Sequence, residues 1–152
     1  MSRVRVAVLC SGGGTNLQAI LDCAAAGNIP AGEIALVVSD NASAYALERA
    51  KRANVATFIA DQKAIPDRLA RERAILGALK EHGIGLVVLA GFMTILSEAF
   101  TKAYEMRIIN VHPSLIPSFC GPGFYGLKVH EAALERGVKV TGATVHFVNE
   151  VC

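Results

Sequence analysis

The stretch Val4-Arg-Val-Ala-Val-Leu-Cys-Ser-Gly-Gly-Gly-Thr-Asn-Leu-Gln-Ala-Ile-Leu-Asp-Cys-Ala24 decides the fold. Its first part, Val4–Leu9, is a short and nearly continuous apolar run, the pattern of a strand covered on both faces. Three glycines follow. Beyond them Leu17, Ile20, Leu21 and Ala24 recur at i, i+3, i+4 and i+7, which predicts a helix with Thr15 as N-cap and Gly27 as its stop. The same alternation continues outward. Ile34–Ser39, Val55–Ile59, Leu86–Leu89 and Ile108–Val111 read as further strands. Between them, Ser43 is placed to cap a helix carrying Leu47 and Ala50 inward, and a longer helix runs from about Ile65 to Glu81 around Leu69, Leu76 and Leu79, ending before Gly83. Short helices are expected near Ser97–Ala103 and Val129–Arg136, with a last and less uniformly apolar strand at Thr144–Val148.

Strands alternating with helices imply right-handed crossovers and an α/β fold, a doubly wound, mostly parallel sheet. Ligands bind such sheets outside the carboxyl ends of the strands. The composition agrees with one globular domain: 152 residues, 53% hydrophobic and 18% charged, the opposite of the disorder signature. A net charge of +2 is too even to suggest nucleic acid or a membrane surface as the main partner. The longest apolar run, Leu86 to Met93, has 8 residues, far short of the ~18 that suggest a membrane span. Cys10, Cys23, Cys120 and Cys152 show no C-x-x-C spacing, and with no secretory signal they read as reduced thiols of a cytoplasmic protein, not as metal ligands.

Three segments carry chemistry. In Cys10-Ser-Gly-Gly-Gly-Thr-Asn16, backbone N–H groups and a helix N-terminus converge where a phosphate can sit. The competing explanation is a glycine turn required only by tight strand-to-helix packing. No lysine follows the glycines, as a Walker loop would need, and Leu17 occupies the third glycine position of a dinucleotide fingerprint. Asp40, closing the second strand where a ribose-binding acid could lie, keeps a nicotinamide-binding oxidoreductase open. In Asn110-Val-His-Pro-Ser-Leu-Ile-Pro117, two-residue alternation puts Asn110 and His112 on one face. An amide donor beside an imidazole suits acyl transfer, by stabilising an oxyanion and exchanging a proton; a loop-satisfying asparagine and a partly buried histidine are the bland alternative. In Leu89-Ala-Gly-Phe-Met-Thr-Ile-Leu96, a ridge of large apolar side chains leaves the fourth strand, as either the wall of a heterocycle slot or ordinary core. Of the other histidines, His82 is expected on the surface at a helix end, while His130 and His146 are ambiguous. The irregular stretch Pro113–Lys128 holds three prolines and three glycines, a loop length usually functional or mobile.

Taken in order, S-G-G-G-T-N, V-L-A-G-F-M-x-I-L, N-V-H-P-S-L-I-P and T-G-A-T-V-H-F-V span the whole chain. Together they resemble the glycinamide ribonucleotide transformylases of the folate-dependent formyltransferase family. N-x-H-P-S-L-x-P is the most specific of the four. The resemblance implies a Rossmann-like formyltransferase fold, with residues 1–152 as a single catalytic domain truncated at its C-terminal end. It also implies transfer of a formyl group from the co-substrate 10-formyltetrahydrofolate to the amine of glycinamide ribonucleotide, in purine biosynthesis, without a metal or a covalent enzyme intermediate.

By the same resemblance Asn110 and His112 are catalytic, and Gly14, Thr15 and Asn16 hold the ribonucleotide phosphate, with Pro113 lining that slot. Arg68, Met93, Thr94, Ile95, Leu96, Asn110, Val148, Asn149 and Glu150 face the folate. Two departures are visible: the family often carries a basic residue where Thr94 stands, and Ser118–Gly126 is longer than in many relatives. A third catalytic residue, an aspartate, is expected immediately after Cys152, beyond the last residue, so an inactive fragment is one alternative. A formyltetrahydrofolate hydrolase is another; that family usually shows a second histidine after N-x-H and an N-terminal regulatory domain, whereas Pro113 follows His112 and the first strand begins by Val4. Methionyl-tRNA formyltransferases are a further relative, disfavoured by the near-neutral charge. A homodimer is left open.

Overall fold

A computed structural model describes residues 2–149. Its elements run β1 (Val4–Cys10), α1 (Thr15–Ala25), β2 (Gly32–Ser39), α2 (Tyr45–Arg52), β3 (Ala56–Ile59), α3 (Arg68–Glu81), β4 (Leu86–Leu89), α4 (Glu98–Ala103), β5 (Ile108–His112), α5 (Leu127–Arg136) and β6 (Thr144–Phe147). The strands form one six-stranded sheet in the order β3-β2-β1-β4-β5-β6. All pairings are parallel except β5 with β6, which is antiparallel. The expected doubly wound, mostly parallel sheet is therefore present. The order reverses between β1 and β4, and this is the switch point where such sheets open a crevice.

The continuous apolar strands are explained by two separate cores. Along β1, Ala7 and Leu9 pack with Leu36, Val38, Ile75, Leu79 and Phe100 on the face covered by α3 and α4. Val6, Val8 and Cys10 alternate to the opposite face, against Leu17, Leu21, Leu47 and Ala50 of α1 and α2. With both faces buried there is no polar side for the alternation to show.

Element ends depart from the sequence expectation for local reasons. Gly14, at φ 70° and ψ 35°, is the N-cap of α1, with no side-chain cap, and Thr15 is the first helical residue. Gly27 (φ 76°) stops that helix as expected, its N–H donating to the Ala24 carbonyl. Ser43 does not cap α2: Ala44 holds that position, and the Ser43 N–H is taken by Asn41 Oδ1 at 2.9 Å. Helix α3 starts at Arg68, three residues later than predicted, because Asp67 caps it by accepting from the Ala70 N–H at 2.6 Å, just after Pro66. Leu69 is 47% exposed, and the buried positions of α3 include the charged Arg71 and Glu72 beside Ile75, Ala78 and Leu79. No helix among the described residues is long and apolar enough to cross a membrane.

Candidate functional site

The carboxyl ends of β1, β4 and β5 bring the three chemical segments to one edge of the sheet. The glycine loop leaves β1 and is tied to the loop after β4: the Ser11 N–H donates to the Gly91 carbonyl (3.0 Å), and Ser11 Oγ accepts from the Met93 N–H (2.8 Å). The three glycines divide between the two explanations left open by the sequence. A Cβ on Gly14 would lie 2.8 Å from Ala46 Cβ, so close packing against α2 requires glycine there, as its φ does. Gly12 and Gly13 have nothing within 4 Å of a Cβ. Packing does not require them, and they lie just before the N-terminus of α1, where an anion is favoured.

The segment after β4 is fixed from beneath by two buried carboxylates. Asp40, 1% exposed at the end of β2, accepts from Thr94 Oγ1 (2.6 Å) and Gln62 Nε2 (2.9 Å) on Oδ2. Glu72, buried in α3, accepts from the Ser97 N–H (3.0 Å) and from the Ser97 hydroxyl. Arg68 donates to the Ile95 carbonyl (2.8 Å) and lies 3.5 Å from Glu72. Backbone and buried carboxylates thus set the path of Gly91–Ser97. Phe92 and Leu96 pack on the core, whereas Met93 (51% exposed) and Ile95 (68%) stand out from it. The apolar ridge is half core and half exposed wall. The Thr94 hydroxyl is turned inward to Asp40. The burial of Asp40 argues against the nicotinamide alternative, because a ribose would need this carboxylate accessible and it is 1% exposed, with Oδ2 already engaged.

At the end of β5, Asn110 lies opposite His146 of β6 and His112 lies opposite Thr144. Cross-strand partners and residues two apart share a face, so all four side chains converge there. Their hydrogen bonds set proton positions. A carbonyl only accepts, so the 2.8 Å contact of His112 Nε2 with the Phe119 carbonyl places a proton on Nε2. In the neutral ring, Nδ1 is then an acceptor with no donor among the described residues. His146 Nδ1 donates to the Phe147 carbonyl (3.1 Å), leaving Nε2 to accept from Asn110 Nδ2 at 3.2 Å. One amide proton of Asn110 is thereby used, and the other meets no acceptor among the described residues. Thr144 Oγ1 donates to the Ser114 carbonyl (2.7 Å) and accepts from the Ile116 N–H (3.1 Å), holding the turn that begins at half-buried Pro113.

Val148 reaches back to β5, its N–H donating to the Ile108 carbonyl at 2.9 Å, and Asn149 follows it on the surface. Glu150 and Cys152 lie outside the described residues. The sequence left His146 ambiguous, and only the β5–β6 register reveals its place beside Asn110. His82 is half-buried at the end of α3, its Nδ1 within 2.9 Å of the Ala78 carbonyl, and His130 is exposed on α5. The sequence offered Asp40 only as a ribose-binding acid, not as an anchor for Thr94, and it gave no signal for Arg49, whose Nε donates to the Gly13 carbonyl at 2.8 Å.

The sequence profile of the family described as formyl transferase matches residues 4–152. Phosphoribosylglycinamide formyltransferase of Haemophilus influenzae is 43% identical over 146 residues, which are 96% of this chain and 66% of that protein. A trifunctional purine biosynthetic protein of Gallus gallus is 45% identical over 149 residues, 98% of this chain but 14% of its own length. The crystal structure of glycinamide ribonucleotide transformylase 1 from Symbiobacterium toebii superposes with a TM-score of 0.87 at 47% identity, covering 97% of this chain and 67% of the other. A formyltetrahydrofolate deformylase from Pseudomonas syringae is similar in fold (TM-score 0.85) but 26% identical.

Proposed function

Because the chain belongs to the formyl transferase family, we propose that it carries catalytic residues of an enzyme that moves the formyl group of 10-formyltetrahydrofolate onto the amine of glycinamide ribonucleotide. The amine nitrogen attacks the formyl carbon, the bond from that carbon to N10 of the folate breaks, and the proton leaving the amine is balanced by one gained at N10. The observation that carries this reading is the β5 terminus, where an oriented amide with one proton to spare and an imidazole with one free nitrogen share a face. The spare Asn110 proton would meet the oxyanion that develops on the formyl oxygen, and His112 Nδ1 is free to take or return a proton.

The nucleotide phosphate would rest on Gly14, Thr15 and Asn16, with Pro113 beside it. The folate would lie along Met93–Leu96, its glutamate tail towards Arg68 and its other flank towards Val148 and Asn149. Under the same proposal the enzyme acts in the cytoplasm.

Formyl transfer is to be measured with and without the amine substrate. The expected result is amine-dependent turnover. Formate release at the same rate without the amine would instead make the protein a hydrolase. Asn110→Ala is expected to lower kcat roughly 100- to 1000-fold, the usual loss of one oxyanion donor; a loss below about tenfold would remove Asn110 from that role.

A further inference from the structure

The glycine loop turns its carbonyls to one side. The Gly12 carbonyl accepts from the Ala46 N–H in the first turn of α2 (3.1 Å), and the Gly13 carbonyl accepts from Arg49 Nε, one turn further along that helix (2.8 Å). A trans peptide sets the N–H of each residue opposite the carbonyl of the residue before it. Fixing these two carbonyls on α2 therefore aims the Gly13 and Gly14 N–H groups away from α2. Neither they nor the Gly12 N–H find an acceptor among the described residues. The first-turn N–H groups of α1, which have no intrahelical partner, add to the same cluster of donors.

Arg49 is itself held in place. Its Nη1 donates to Gln18 Oε1 of α1 (3.0 Å), and its guanidinium lies 4.9 Å from the Tyr45 ring centroid. Its Nε and one Nη1 proton are thus spent on the loop and on α1, which holds the side chain behind the loop.

We propose that Arg49 is a positioning residue for the phosphate subsite: by anchoring the Gly13 carbonyl it holds the loop with its amides turned outward, and so sets the affinity for a phosphate monoester. This rests on the phosphate-binding reading of the loop. The open space at Gly12 and Gly13 supports it, because a loop built only for packing would need neither glycine nor a steering arginine.

The test compares the wild-type protein with Arg49→Lys and Arg49→Met. Inorganic phosphate is titrated against each while the amide signals of Gly13 and Gly14 are followed by nuclear magnetic resonance. Arg49→Met is expected to weaken phosphate binding about tenfold, the loss of one positioning hydrogen bond, and Arg49→Lys to recover most of it because an ammonium can still donate to the Gly13 carbonyl. In formyl transfer, KM for the phosphorylated amine should rise about tenfold in Arg49→Met, while kcat and KM for the folate stay within about threefold.

Unchanged phosphate affinity in a folded Arg49→Met, or no phosphate response of these amides in the wild type, overturns the proposal. So does a parallel rise in KM for the folate. If Arg49→Met does not fold, a folded Arg49→Lys that has lost phosphate affinity overturns it, and one that keeps it supports it. A wild type that binds phosphate as described but transfers no formyl group would leave the steering role standing and remove the enzymatic reading.

Discussion

At the residue scale, one glycine in the loop is required by packing and two are not, a distinction that S-G-G-G-T-N does not contain. Gly14 combines a left-handed φ with a backbone atom of Ala46 2.9 Å from where its Cβ would stand. Gly14→Ala should therefore cost about 1–3 kcal/mol of stability, from strain at positive φ and from overpacking. Gly12→Ala should stay within about 0.5 kcal/mol of wild type, the usual range for open surface sites. Urea denaturation of the two variants checks the contrast, and equal losses would refute it. The Asn110 and His112 pair was legible in the sequence because alternation along a strand is a local rule. The orientation of the Asn110 amide was not, since it depends on His146, 36 residues away.

At the element scale, the Gly91–Ser97 segment shows how a loop is made rigid without regular structure. Its polar groups are satisfied by carboxylates from β2 and α3 that the sheet has already buried. Thr94→Val keeps the shape of the side chain but removes the hydroxyl that meets Asp40 at 2.6 Å. A buried carboxylate deprived of a donor costs about 1–3 kcal/mol, and that is the loss expected in denaturant melts of this variant. A neutral result would mean that Asp40 does not depend on this bond. The helix limits were legible to within a turn, and they failed where capping chemistry intervened. Asp67 and Pro66 delay α3, while Asn41 takes the turn that Ser43 was expected to make. Periodicity likewise assigned Leu69 to the interior of α3, and the tertiary fold instead buries Arg71 by giving its guanidinium the Ile65 and Pro66 carbonyls.

At the scale of the whole molecule, the two-sided core has a consequence for stability against pH. Burial pushes the Cys10 thiol from its ordinary 9.0 up to about 12. Below pH 9 the folded and unfolded chains both keep this proton. Between 9 and 12 the unfolded chain loses it first, so the unfolded state binds fewer protons and stability falls as pH rises. Between pH 8 and pH 10.5 the wild type should lose about 2 kcal/mol more than Cys10→Ala, whose side chain does not titrate. Denaturant titrations at both pH values give the comparison, and parallel losses would show that Cys10 carries no such linkage.

The alternation of apolar runs, glycine turns and helical periods by itself determined a doubly wound sheet, and it placed the three functional segments at strand ends, because burial on both faces and a two-residue repeat are written locally along the chain. Only the tertiary structure decided which glycines serve packing, which way the loop carbonyls turn, and which partners orient Asn110, Thr94 and Arg68. Those outcomes depend on atoms brought together from distant positions, and a hydrogen bond is fixed by distance and direction in space, which residue order alone does not specify.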